Sequence, residues 1–242
     1  MEKEKERIAK RMAAAGLCSR REAEKWIADG RVVVNGQKLL TPACVVSDDD
    51  VIEVDGQPLA KPQEVRLWCY HKPAGLVTTH HDPEGRPTVF ERLPAYFPRV
   101  VSVGRLDLNS EGLLLLTTSG ELARRLEHPS HGWKRKYRVR VHGTVSPEIA
   151  ARIAKGLIID GVRYAPAQVE IEPKQSGGKN QWIAITLTEG KNREIRKIMG
   201  FFGLKVSRLI RVAYGPFQLG SLPEGQTREV PRKVIKEQLP CA

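Results

Sequence analysis

Apolar residues in the first sixty positions recur at helical spacing and then switch to alternation. Over Glu4–Ala15, Ile8, Met12 and Ala15 share one face while Arg7, Lys10 and Arg11 turn away, the pattern of an amphipathic helix. Gly16 ends it in the manner of a helix C-terminus. Ser19 reads as the N-cap of a second helix over Arg20–Ala28, with Glu22 in the capping-box position and Gly30 beyond its end. Arg31 to Gly36 then reads as a β-strand running into an Asn35-Gly36 turn, the strongest short-range hairpin signal. Val51–Val54 is a further strand behind the acidic turn Asp48–Asp50. The opening module is therefore two short helices and a small antiparallel sheet.

Gly56 to Pro62 carries two prolines and a glycine and reads as linker, so the chain divides into residues 1–60, a linker at 61–66 and residues 67–242. Beyond it the pattern is rich in strands. Arg66–His71, Arg99–Val103, Leu113–Thr117, Tyr137–Val141, Ala167–Glu172, Trp182–Thr188 and Lys205–Val212 show β-branched runs or alternation. Helices are expected at Gly120–Glu127, Pro147–Lys155 and Arg193–Phe202, the second with Ser146 as N-cap and Pro147 in its first turn. Gln175–Asn180 reads as a surface hairpin loop. Helical and extended segments mix without strict βαβ alternation, which predicts an α+β fold with a mainly antiparallel sheet.

Charge changes this picture more than composition does. The 242 residues hold 40 Lys+Arg against 28 Asp+Glu, a formal charge of +12, which points to a polyanionic partner and most often to nucleic acid. The four cysteines, Cys18, Cys44, Cys69 and Cys241, lie far apart with no C-x-x-C pair, which fits a reducing compartment and argues against a disulfide framework or a structural zinc. No apolar h-region opens the chain and no apolar run approaches membrane-spanning length, so a cytoplasmic protein with no membrane partner is expected.

Several residues could carry chemistry. Arg20, Arg21 and Lys25 share one side of the second helix, and Arg31 follows its end; they form either a solvated basic face or a phosphate-reading one. Trp26 reads as core packing. Asp107 sits between two leucines in the loop Gly104–Gly112, after the strand at 100–103. On its own it is a turn aspartate bonding its own backbone. It becomes a functional carboxylate only beside a positive partner. Downstream, Thr188 to Met199 is a glycine loop entering a helix on which Ile195, Ile198, Met199 and Phe202 face the core, with Arg193, Arg196 and Lys197 on the neighbouring ridge. Trp133-Lys134-Arg135-Lys136 ahead of Tyr137 is either a charged edge or a phosphate contact. His80-His81-Asp82 with Glu84 could seed a metal site, but adjacent histidines point to opposite sides of an extended chain, so no metal is expected.

Two sets of these residues match known families. Residues 5–53, through Ser19-Arg20-Arg21, Trp26, Gly30-Arg31 and Asn35-Gly36, resemble the S4 RNA-binding module, which implies that the helix pair lies on structured RNA. Nearly the whole chain resembles the pseudouridine synthases of the small branch that acts on ribosomal RNA. That likeness rests on His71-Lys72-Pro73-Ala74-Gly75, Gly85-Arg86-Pro87-Thr88-Val89, Gly104-Arg105-Leu106-Asp107, Lys136-Tyr137 and Glu189–Lys197. Asn192–Arg196 followed by Val206–Arg211 looks most like the synthases of large-subunit (23S) rRNA. The same reaction on small-subunit (16S) rRNA and a non-catalytic ribosome-assembly role remain the alternatives.

The resemblance implies Asp107 as the catalytic carboxylate, Arg196 pairing with it, Tyr137 against the uracil ring and Leu209 as an apolar wall. It implies Lys72, Arg86 and Arg105 as residues that hold the RNA backbone or position the loop. Lys134, Arg135, Lys136, Lys191, Arg193 and Lys197 are the remaining expected RNA contacts. It further implies no cofactor, a target uridine flipped out of folded rRNA, a monomer, and naked rRNA or a pre-ribosomal particle as partner.

Overall fold

The computed structural model describes residues 5–128, 131–173 and 178–238. They form two compact units. One is the segment ending at Arg66 together with Tyr96–Val101 and Thr117–Gly120; the other is Leu67–Ala95, Ser102–Leu116 and the chain from Glu121 onward. No helix among the described residues is long and apolar enough to cross a membrane.

In the first unit, helix α1 (Ile8–Ala14) and helix α2 (Arg20–Ala28) pack over short strands. These are β1 (Glu6–Arg7), β2 (Val32–Val34), β3 (Gln37–Leu39), β4 (Val45–Val46), β5 (Ile52–Val54) and β6 (Gln57–Pro58). The Ser19 hydroxyl accepts the Glu22 N–H at 3.2 Å and the Glu22 carboxylate accepts the Ser19 N–H at 2.7 Å, closing the expected capping box. Asn35 and Gly36 both take positive φ, 51° and 76°, which joins β2 to β3 in a tight hairpin. The first helix begins at Ile8 because Glu6 and Arg7 are extended and pair with Val46 and Val45. The linker is likewise not wholly irregular, since Gln57 and Pro58 pair with β5. Ile8, Met12, Ala23, Ile27, Val32, Val46 and Ile52 form the core, and Trp26 packs against it.

The second unit is built on a sheet that has nine strands among the described residues. Its strands are β7 (Leu67–Lys72), β8 (Val101–Val103), β9 (Glu111–Thr117), β10 (Arg135–His142), β13 (Gln168–Ile171), β14 (Asn180–Leu187), β15 (Lys205–Tyr214), β16 (Phe217–Gln218) and β17 (Thr227–Glu229). Between β10 and β13 a separate hairpin is made by β11 (Leu157–Ile159) and β12 (Val162–Tyr164). The spatial order is β13-β14-β10-β15-β9-β7-β17, with β8 beside β9 and β16 beside β15. Most pairings are antiparallel, but β15 runs parallel to β9. Helices α3 (Gly120–Glu127), α4 (Pro147–Ala154), α5 (Glu194–Phe201) and α6 (Arg232–Gln238) flank it, so the fold is α+β.

All seven residues of β9 are buried, as suits a central strand covered on both faces. Leu113 and Leu115 pack with Leu122, Leu126, Tyr214, Phe217 and Ile235 on one side. On α5, Ile195, Ile198 and Met199 are buried as their spacing requires, whereas Phe202 lies just past the helix and is half exposed. The hairpin β11–β12 and helix α6 were not anticipated from the pattern. Residues 175–177 of the expected loop at 175–180 lie outside the described residues, and Asn180 already begins β14.

Candidate active site

The loop between β8 and β9 carries Asp107 on a turn closed by the Ser110 N–H donating to the Asp107 carbonyl at 3.0 Å. The residues around it are tied down one by one. The Thr78 hydroxyl donates to the Leu106 carbonyl at 2.9 Å and accepts the Leu106 N–H at 3.3 Å. The Gly75 N–H and the Lys72 ammonium both reach the Leu108 carbonyl, at 2.8 and 3.4 Å. Lys72 also donates to the carbonyls of Ser110 at 2.8 Å and Pro73 at 2.9 Å. Arg196 donates to the Asn109 carbonyl at 2.8 Å and to Val206 at 3.2 Å. Held this way, the backbone aims the Asp107 side chain with little freedom.

The carboxylate itself is not spent. Among the described residues it accepts no hydrogen bond and meets one cation within ion-pair distance, Arg193, whose Nη1 lies 3.7 Å from Oδ2. Arg193 occupies the left-handed region at φ 52° and ψ 31° immediately before α5, a conformation costing on the order of 1 kcal/mol for a residue with a side chain. Strain of that kind is tolerated where the side chain must be aimed.

Asp107 lines a cavity of about 490 Å³ together with Tyr137, Leu209, Arg105, Arg193 and Arg211. That volume falls within the roughly 300–1,000 Å³ of small-ligand sites. Tyr137 and Arg211 are cross-strand partners in β10 and β15, and Leu209 lies two residues along from Arg211, so period-two alternation puts all three on one face. A carboxylate, an aromatic wall and cations around a space of this size suit a flat polar ring attached to a polyanion.

Residues 66–200, over half of the chain, match the RNA pseudouridylate synthase family, and residues 6–52 match the S4 domain. The chain belongs to the RNA pseudouridylate synthase family. A Rickettsia bellii protein named "Uncharacterized RNA pseudouridine synthase" is 51% identical over 96% of this chain and 99% of its own length. A Yersinia pestis protein named "Ribosomal large subunit pseudouridine synthase B" is 44% identical over 94% of this chain and 73% of its own length. A solved structure described as a pseudouridylate synthase superposes with a TM-score of 0.67 at 27% identity, covering 95% of this chain and 98% of that one.

Placement of the other residues in this pseudouridine synthase changes several expectations. Arg196 makes no ion pair with Asp107 at contact distance, since its two terminal nitrogens donate to backbone carbonyls, although the Asp107 charge still acts on it; Arg193 makes the ion pair. Lys72 is fully buried and cannot lie on an RNA backbone, so it acts on the loop alone. Burial lowers its pKa to about 8, partly offset by the charges of Asp107 and Glu111. Arg86 is engaged by Asp82 through two hydrogen bonds, at 2.8 and 3.0 Å, and by Glu84. Asp82 is held down at about 2 by that guanidinium. The His80 ring stacks on Phe90 with centroids 3.6 Å apart, so the His80–Glu84 stretch is used in building its own loop.

Lys136 alternates to the sheet face opposite Tyr137 and pairs with Glu170 at 3.1 Å. Arg135 lines the cavity but is fastened to Tyr214 and to the carbonyls of Trp133 and Thr188. Lys191 pairs with Glu189, while Arg105, Lys134 and Lys197 are exposed. In the first unit Arg20, Arg21 and Lys25 are exposed on α2, and among the described residues no carboxylate pairs with them. Arg31 is pinned by Asp55 at 2.5 and 2.9 Å and lies 4.4 Å from the Trp26 ring centre.

Two buried charged residues of the cavity were missed. Glu194 begins α5, is almost fully buried and accepts the Lys191 N–H at 3.0 Å. Burial pushes its pKa up to about 7, reinforced by the adjacent Glu189. Arg211 is 3% exposed in the middle of β15. Alternation could have found it, since Leu209, Arg211 and Ala213 share the buried parity of that strand.

Proposed function

We propose that this enzyme isomerises uridine to pseudouridine in ribosomal RNA, specifically the large-subunit (23S) RNA, with Asp107 as the essential carboxylate. The observation that carries the assignment to Asp107 is its unspent carboxylate on a turn tethered at Leu106, Leu108, Asn109 and Ser110. The large-subunit assignment is supported by the names of relatives in Yersinia pestis and Pseudomonas aeruginosa. In the reaction the N1–C1′ bond of the target uridine breaks beside Asp107, the base turns, and C5 bonds to C1′. C5 then loses its proton and N1 ends as N–H, so the change is an isomerisation needing no oxidant or reductant.

Tyr137 and Leu209 would bracket the ring and Arg193 would orient the carboxylate. A base inside folded RNA must leave its stack to reach this cavity. Residues 1–60 serve as the RNA grip and 67–242 as the catalytic domain, in a cytoplasmic monomer acting on rRNA or a pre-ribosomal particle. Incubation with 23S rRNA carrying tritium at uridine C5 tests the reaction. Release of about one tritium per RNA, and none from 16S rRNA, is expected from the chemistry. Binding without any release would make the protein a non-catalytic rRNA partner.

A further inference from the structure

Arg211 has no part in the reaction as described, yet the fold is shaped around it. Its Nε donates to the Leu113 carbonyl at 2.7 Å, and its guanidinium lies 5.2 Å from the Tyr214 ring centre. Nη2 is buried and meets no acceptor, and among the described residues no carboxylate lies within ion-pair distance. A buried cation without a counter-charge is costly, and an orphaned donor is rare in a folded protein. Gly112 stands beside Arg211 in the parallel β9–β15 pairing at φ 100°, and a Cβ there would collide with the Arg211 backbone. The glycine therefore lets β9 close on β15, and the next carbonyl along β9 takes the Nε hydrogen bond.

Directly across the register is Tyr137, on the same face and lining the same cavity. The exposed cations of the cavity are otherwise disposed: Arg193 is turned to Asp107, Lys191 to Glu189, and Arg105 stands exposed at the opening, where the phosphates of the RNA strand stay. A guanidinium 3% exposed suits an acceptor that enters completely. We infer that Arg211 is a further substrate-binding residue, donating to a carbonyl oxygen of the uracil ring and stabilising the negative charge that develops on the detached base. When N1–C1′ breaks, the electron pair stays with the uracil and spreads over N1 and the two carbonyl oxygens. Arg211 transfers no proton; it supplies a fixed donor where charge grows, which is the most effective form of electrostatic catalysis.

This role rests on the isomerase reading, and the test separates the two. Single-turnover rates are measured on an rRNA fragment carrying either uridine or 5-fluorouridine at the mapped target, with loss of the N1-linked nucleoside read after nuclease digestion. Fluorine makes uracil a better leaving group, so that substrate needs less help from Arg211. Arg211→Gln is expected to slow bond cleavage about a hundredfold with uridine and only about tenfold with 5-fluorouridine, leaving the RNA Kd within about twofold. Arg211→Lys, which keeps the charge, should show the same inequality at smaller size, and it carries the test should the glutamine variant not fold. Equal losses on both substrates, or unchanged rates in a folded variant, would overturn the role of Arg211. A wild-type enzyme that converts neither substrate would instead refute the isomerase reading.

Discussion

Two sets of cations, one from each unit, are used in opposite ways. On α2 of the first unit, Arg20, Arg21 and Lys25 point outward with no carboxylate pairing with them among the described residues. In the second unit, Lys72 holds three carbonyls, Arg196 two more, Arg86 closes its own loop and Lys136 is neutralised by Glu170. A positive residue in the sequence is therefore evidence of phosphate contact only where the fold leaves it unpaired. Exposed unpaired cations attract a polyanion at long range and weaken with salt. Buried ones set geometry and are indifferent to salt.

Substitutions can break or sharpen this contrast. Asp107→Asn has the largest expected effect, a fall in kcat of at least about a thousandfold with RNA affinity retained, because it removes the carboxylate and no phosphate contact. Single-turnover conversion beside a filter-binding assay separates the two quantities. Lys72→Met comes next. It leaves the Leu108 and Ser110 carbonyls without their donor, and displacing a reacting group by about 1 Å costs on the order of a hundredfold, so kcat should fall by about that much with KM little changed. A KM effect without a kcat effect would return Lys72 to the RNA-contact class.

The combined change Arg20→Gln, Arg21→Gln and Lys25→Gln should weaken RNA binding by about tenfold or more at moderate salt and flatten the salt slope by about 2 to 3. At saturating RNA its kcat should equal that of the wild type. Lys136→Gln is the opposite control. Its partner is Glu170 on the far face of the sheet, so affinity should change by less than about twofold, the usual scale for an exposed pair.

Glu194 adds a pH prediction. Its raised pKa means that the folded protein binds a proton more tightly than the unfolded chain does. The contribution of Glu194 to stability is therefore largest below the unfolded value of 4.5, falls as pH rises toward about 7 and levels off above it. Glu194→Gln should remove that fall, gaining roughly 1–3 kcal/mol relative to wild type between pH 5 and pH 8 in denaturant melts. Identical pH profiles would contradict the buried-acid assignment.

What could be read from the chain depended on how local its cause was. Ser19 with Glu22 and Asn35 with Gly36 are settled within a few residues, and α2 and the β2–β3 turn lie where they were expected. The β11–β12 hairpin had the same kind of signal in Asp160-Gly161, with φ 49° and 76°, but its strands, Leu157–Ile159 and Val162–Tyr164, are too short to show an alternation of their own. Asp107, Tyr137 and Leu209 were picked out by motif and do share a cavity. The partner of Asp107 was not legible. Arg193 and Arg196 lie three residues apart at the start of one helix, and only the Asn109 and Val206 carbonyls, brought in from elsewhere in the chain, decide which arginine is committed. Arg211 was legible only through the parity it shares with Leu209 and Ala213, a signal that the ordinary reading of a strand arginine as solvent-facing overrides.

The most direct measurement is a pseudouridine map of 23S and 16S rRNA by carbodiimide-dependent reverse-transcription stops, in cells with and without the gene. Loss of a 23S stop on deletion, its return with the wild-type gene and its continued absence with Asp107→Asn is the predicted result. Identical maps in the presence and absence of the gene, or a stop restored by Asp107→Asn, would contradict it.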